Sequence, residues 1–68
     1  MELSQKRKLL GAGLYARHCS MQTTLTILTV LENDDQIDDL AWYMGEHPKA
    51  NDSELIAVAY QLVKDAHS

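Results

Sequence analysis

The sequence predicts an all-α protein of three helices, and three observations lead to that prediction. The chain of 68 residues contains a single proline, Pro48, so long stretches lack the residue that most strongly breaks a helix. Apolar residues recur at steps of three, four and seven, which is the spacing of one helix face. Two segments also open with an asparagine followed three residues later by glutamine or glutamate, a helix-capping pattern.

The first predicted helix is long and spans residues 4–32. Ser4 is a favourable N-cap residue, and at 1.5 Å per residue the helix would be roughly 40 Å long. Gly11 and Gly13 allow two interpretations, a break at the glycines or a continuous helix with a face of small residues. The apolar period is unbroken across the glycines and favours the continuous helix. Its apolar stripe consists of Leu10, Leu14, Met21, Leu25, Leu28 and Leu31.

Residues 24–27 have some strand character, because two threonines alternate with Leu25 and Ile27. The alternation ends at Leu28, and no second strand pattern is present to accept the hydrogen bonds of a strand. We therefore assign this stretch to the first helix.

The second predicted helix spans residues 34–45 and the third spans residues 52–66. Asn33 and Asn51 are their predicted N-caps. Both segments carry an apolar face, and together with the first helix they predict one small helical domain covering residues 1–68.

The size of the chain leads to a prediction about association. A domain this small buries only about 60% of its unfolded surface, and Cys19, the only cysteine, cannot form an internal disulfide. Two short helices of about 20 Å cover only part of a 40 Å helix. We therefore expect a homodimer in which two long helices pair antiparallel, with Gly11, Ala12 and Gly13 permitting close approach. The free thiol and the lack of a secretory segment indicate a cytoplasmic protein.

The sequence contains no pattern typical of a catalytic or metal site. His18 and Cys19 are adjacent and so do not face each other on a helix, and no zinc-ligand spacing occurs. The aspartates of residues 34–39 lack the spacing of a calcium-binding loop. They are interpreted as a cap with a solvated face, or as a docking surface for a basic partner. We expect no enzyme activity, cofactor, metal or membrane span.

The function predicted first is a non-enzymatic regulator that binds another protein. It would be an inhibitor, anti-activator or antirepressor of the compact kind that bacteria and their phages encode. Trp42 either fills the core or belongs to the binding surface. The candidate residues for the partner or dimer interface are Leu10, Leu14, Tyr15, Met21, Leu25, Leu28, Trp42 and Tyr43.

The alternative is a small dimeric, nucleic-acid-associated transcriptional regulator. Lys6, Arg7 and Lys8 form the basic cluster that would contact phosphates or an acidic partner. The net charge of −4 disfavours this alternative. A helix-turn-helix is also disfavoured, because Pro48 falls where the recognition helix should begin.

Overall fold

A computed structural model describes residues 4–68 and contains four helices in that range. These are α1 (Gln5–Ala16), α2 (Met21–Val30), α3 (Asp34–Glu46) and α4 (Asp52–Ala66), and the described residues include no strand. The all-α class is confirmed, whereas the prediction of three helices is wrong. Residues 4–32 form two helices joined by a turn, and α3 and α4 match the second and third predicted helices within one residue.

The chain turns at residues 17–20 and not at the glycines. His18 has a φ of 65°, in the left-handed region that ends helices, and the Cys19 N–H donates to the carbonyl of Leu14 at 3.1 Å. Ser20 then begins α2 as its N-cap, with its Oγ accepting from the Thr23 N–H at 3.1 Å. The helix α1 is therefore continuous through the glycines, and the missed boundary lies one turn further on.

The four helices form two antiparallel hairpins, α1–α2 and α3–α4, that lie side by side. At one end of the molecule, the Ser4 Oγ donates to the Asp34 carboxylate at 3.2 Å. At the other end, the Ser20 N–H donates to the Asp52 carboxylate at 3.1 Å. Consequently α1 runs parallel to α3 and α2 runs parallel to α4, while α1 and α4 are not neighbours.

The core lies between the two hairpins and includes Leu10, Leu14 and Leu31 of the predicted apolar stripe. The longest dimension of the molecule is 30 Å, which is too short for the predicted 40 Å helix. The helix of about 40 Å through which the antiparallel homodimer was predicted is therefore absent, because the chain folds back at residues 17–20, and the homodimer itself stays a prediction. The buried core residues are Leu10, Leu14, Ile27, Leu31, Ile37, Leu40, Met44, Leu55 and Ala59.

The two glycines of α1 allow close packing within the chain. A Cβ added to Gly11 would lie 3.4 Å from the Leu28 side chain of α2. A Cβ added to Gly13 would lie 3.8 Å from the Met44 side chain of α3. The small face of α1, which the sequence predicts to permit close approach of a second subunit, therefore receives α2 and α3 of the same chain.

Arg17, at the end of α1, holds the end of α3 in place. Its guanidinium donates to the carbonyls of Met44, His47 and Ala50 at 2.9, 3.0 and 3.2 Å. The last carbonyls of a helix have no partner within the helix and carry partial negative charge. A single side chain therefore provides hydrogen bonds to the backbone carbonyls at the end of α3 and in the connection that follows it.

The predicted N-caps of α3 and α4 are present, although the side chains of Gln36 and Glu54 do not bond to the N–H group of the cap residue as they would in a capping box. The side chain of Asn33 accepts from the Gln36 N–H at 2.9 Å, and that of Asn51 accepts from the Glu54 N–H at 2.8 Å. Gln36 reaches back to the N–H of Glu32, at 2.6 Å, one residue before the position that a capping box uses. Both helices therefore begin where the sequence placed them.

Candidate protein-binding surface

Several large apolar side chains remain exposed in the described part of the chain, and they include half of the predicted interface residues. Tyr15, Met21, Leu25 and Trp42 were predicted, and each is more than half exposed. Leu9 and Tyr60 were not predicted, although they are 62% and 55% exposed. Leu9 lies about 100° around the helix from Leu10, so it falls outside the predicted apolar stripe.

The other four predicted interface residues pack within the chain. Leu10 and Leu14 are buried in the core, and Leu28 is half-buried against it. The Tyr43 hydroxyl donates to the Glu54 carboxylate at 2.5 Å, which joins α3 to α4 and raises the pKa of Tyr43. These four side chains are therefore structural in this conformation.

An apolar groove of about 310 Å³ lies between α1 and α3, and we call it the α1–α3 groove. Lys6 and Asp38 face each other across it, with Nζ 2.6 Å from Oδ2, and this hydrogen bond raises the pKa of Lys6. Both side chains are about half exposed, so the ion pair contributes little to stability. The remaining lining is apolar and consists of Leu9, Leu10, Gly13, Ile37, Ala41 and Met44.

Trp42 projects into solvent from the outer face of α3, beside the α1–α3 groove. Leu40 and Met44, two residues before and after it, are buried, so the helical period turns the indole away from the core. The side chain is 68% exposed, and it follows Ala41, which lines the groove. The interpretation of Trp42 as a core residue is therefore wrong.

The basic cluster at the start of α1 is partly occupied by contacts within the chain. Lys6 is paired with Asp38, as described above. The Arg7 guanidinium donates to the carbonyls of Leu28 and Leu31 at 2.5 and 2.7 Å and so satisfies the end of α2. Lys8 is exposed. Of the three candidate phosphate contacts, Arg7 thus has a structural role.

A second and shallower apolar surface lies between α2 and α4. Met21, Leu25 and Tyr60 supply its exposed apolar atoms, and Gln22, Thr26, Thr29 and Val30 complete the lining. The helix α2 contains no charged residue. This surface therefore offers apolar contacts but no charge that could select a partner.

A polar cluster joins the beginnings of α2 and α4. The Asp52 carboxylate accepts from the Ser20 N–H at 3.1 Å and from the Thr23 hydroxyl at 2.8 Å, and these bonds lower the pKa of Asp52. Burial, together with the nearby Asp52, raises the pKa of the Cys19 thiol. Cys19 is therefore protonated at neutral pH, which does not suit a nucleophile.

Residues 4–68 contain no group of three His, Cys, Asp or Glu side chains that could hold a metal ion. None of the four helices is both long enough and apolar enough to cross a membrane. Comparison of the chain with protein-family models, with curated proteins and with solved structures gives no match.

Proposed function

We propose that the protein is a non-enzymatic regulator that acts by binding another protein at the α1–α3 groove and Trp42. The observation that carries this proposal is an exposed tryptophan beside an apolar groove whose rim includes the exposed Leu9. Tryptophan is enriched among the residues that contribute most to binding energy in protein interfaces. Exposed apolar surface on a small protein is also a common mark of an interaction site.

Such a protein regulates its partner by covering or sequestering part of the partner's surface. A molecule with a longest dimension of 30 Å can cover one functional patch of a larger partner, or sequester one of its helices. Both actions correspond to an inhibitor, anti-activator or antirepressor. Neither requires a catalytic group.

The alternative of a nucleic-acid-associated regulator has less support. The guanidinium of Arg7 is held by two carbonyls of α2, and the ammonium of Lys6 is held by Asp38. Phosphate binding would compete with these contacts, so Lys8 is the member of the cluster best placed for it.

The experiment that tests the proposal is affinity purification from the cells that produce the protein, with Trp42→Ala and Tyr15→Ala compared in parallel. Tyr15 is the control, because it is a similarly exposed aromatic residue that is not part of the proposed binding surface. We expect a specific partner that the wild type and Tyr15→Ala retain and that Trp42→Ala loses. Equal recovery with all three proteins, or no specific partner, contradicts the proposal.

A further inference from the structure

The outer face of α3 surrounds Trp42 with acidic side chains. Asp38 and Asp39 precede Trp42 by one helical turn and Glu46 follows it by one turn, so all three lie on the same face. Asp35 lies on that face two turns before Trp42. The face is therefore both aromatic and strongly negative.

These acidic side chains are largely free to meet a partner. Asp35, Asp39 and Glu46 are exposed, and the ion pairs among the described residues are only Lys6–Asp38 and Glu32–His67. A cation from a partner could thus contact several carboxylates and also lie against the face of the Trp42 indole, which itself attracts cations.

The lining of the α1–α3 groove includes small residues. Gly13 of α1 and Ala41 of α3 are the small residues of the lining, so a partner helix can approach closely between Leu9 and Met44. The lining runs from Lys6 to Gly13 along α1 and from Ile37 to Met44 along α3, about 12 Å in each case, which matches roughly two turns of a partner helix. An apolar groove between two helices commonly accepts the apolar face of an amphipathic helix.

We infer that the α1–α3 groove binds a basic amphipathic helix of the partner. The apolar face of that helix enters the groove, and its arginine or lysine side chains contact Trp42 and the acidic side chains around it. The choice of a basic partner rests on charge complementarity, because the free charge beside the groove is negative. This inference also rests on the proposed function, since it specifies the partner of the same surface.

The test uses synthetic helical peptides of about 15 residues without tryptophan or tyrosine. Two peptides share leucines at positions i, i+4 and i+7 and differ only in carrying arginine or glutamate at the flanking positions. A third has the composition of the arginine peptide, but its leucines are scattered around the helix. Trp42 is the only tryptophan of the chain, so its fluorescence reports binding at this surface directly.

We expect the arginine peptide to bind at least about tenfold more tightly than either of the other two, with an affinity that falls as salt is added. The double variant Asp39→Asn/Glu46→Gln should weaken its binding by about tenfold. The matched control Glu32→Gln/Asp65→Asn removes the same charge from exposed residues outside the groove, and should change the affinity by less than about twofold.

Three results of the peptide experiment would overturn the inference. They are equal binding of the arginine and glutamate peptides, equal binding of the scattered peptide, and an equal effect of the two double variants. A Trp42-dependent mass of two chains in sedimentation would also overturn it, because the occupant would then be a second copy. If the partner captured from cells still depends on Trp42 in any of the first three cases, the proposed function stands and only the basic-helix inference fails.

Discussion

Replacing Arg17 by methionine tests how the two hairpins are held together. The guanidinium satisfies three carbonyls, and its bonds to Met44 and Ala50 are partly sheltered from solvent. A hydrogen bond that involves a charged group contributes about 1.5–3 kcal/mol, and exposure reduces this. Two sheltered bonds at the lower value predict a loss of about 3 kcal/mol in the free energy of unfolding. Because 1 kcal/mol corresponds to about 4–8 °C in a domain of this size, Tm should fall by roughly 15 °C.

The assay is thermal and urea unfolding followed by circular dichroism, with two further variants as controls. Lys8→Met removes the same charge from an exposed position of α1 and should leave Tm nearly unchanged. Arg17→Lys keeps the charge, but its ammonium lacks the planar fork that reaches three carbonyls, so we expect most of the loss to remain. If Arg17→Met unfolds within about 2 °C of Lys8→Met, the guanidinium does not stabilise the fold in the way described.

Three other substitutions test separate parts of the fold. Thr23→Val keeps the size of a buried side chain but removes its hydrogen bond to Asp52, so the free energy of unfolding should fall by about 1–3 kcal/mol in urea titrations. The pKa of Asp52 is lower in the folded protein than in the unfolded chain. As the pH falls, the carboxylate is therefore protonated in the unfolded chain before it is protonated in the folded protein, so stability is lost below about pH 4. Asp52→Asn should show a smaller loss of stability between pH 7 and that range, and an identical pH profile would contradict this role. Gly45 lies inside α3 with no atom within 4 Å of an added Cβ, so Gly45→Ala should stabilise the protein by about 1 kcal/mol; a lower Tm would show that the glycine is needed there.

Local signals in the sequence were sufficient for much of the helical structure. Asn33 and Asn51 accept hydrogen bonds from backbone N–H groups three residues ahead, so the beginnings of α3 and α4 depend on neighbours in the chain. The helical assignment of residues 24–27 was also correct, since a lone strand would have left its hydrogen bonds unsatisfied.

The candidate site was only partly predictable, because helical spacing identifies a face but not what covers it. Met21 and Leu25 continue the stripe that contains Leu10 and Leu14, yet the first pair is exposed and the second pair is buried. The difference arises from the turn, after which α2 presents a different side to the core. The exposure of Trp42 likewise depends on which side of α3 packs against α1 and α4.

The sequence by itself therefore determined the helical class, the N-caps of α3 and α4 and the unbroken course of the helix through Gly11 and Gly13. The N-cap Ser20 is a local signal for the start of α2, but only the tertiary structure decided that the chain turns at residues 17–20, which contain neither glycine nor proline and place His18 in a left-handed conformation. That turn is held by contacts between residues far apart in sequence, from Arg17 to the end of α3 and from Ser20 and Thr23 to Asp52. No local pattern encodes these long-range contacts, and they convert the predicted 40 Å helix into a hairpin that buries Leu10, Leu14 and Leu31.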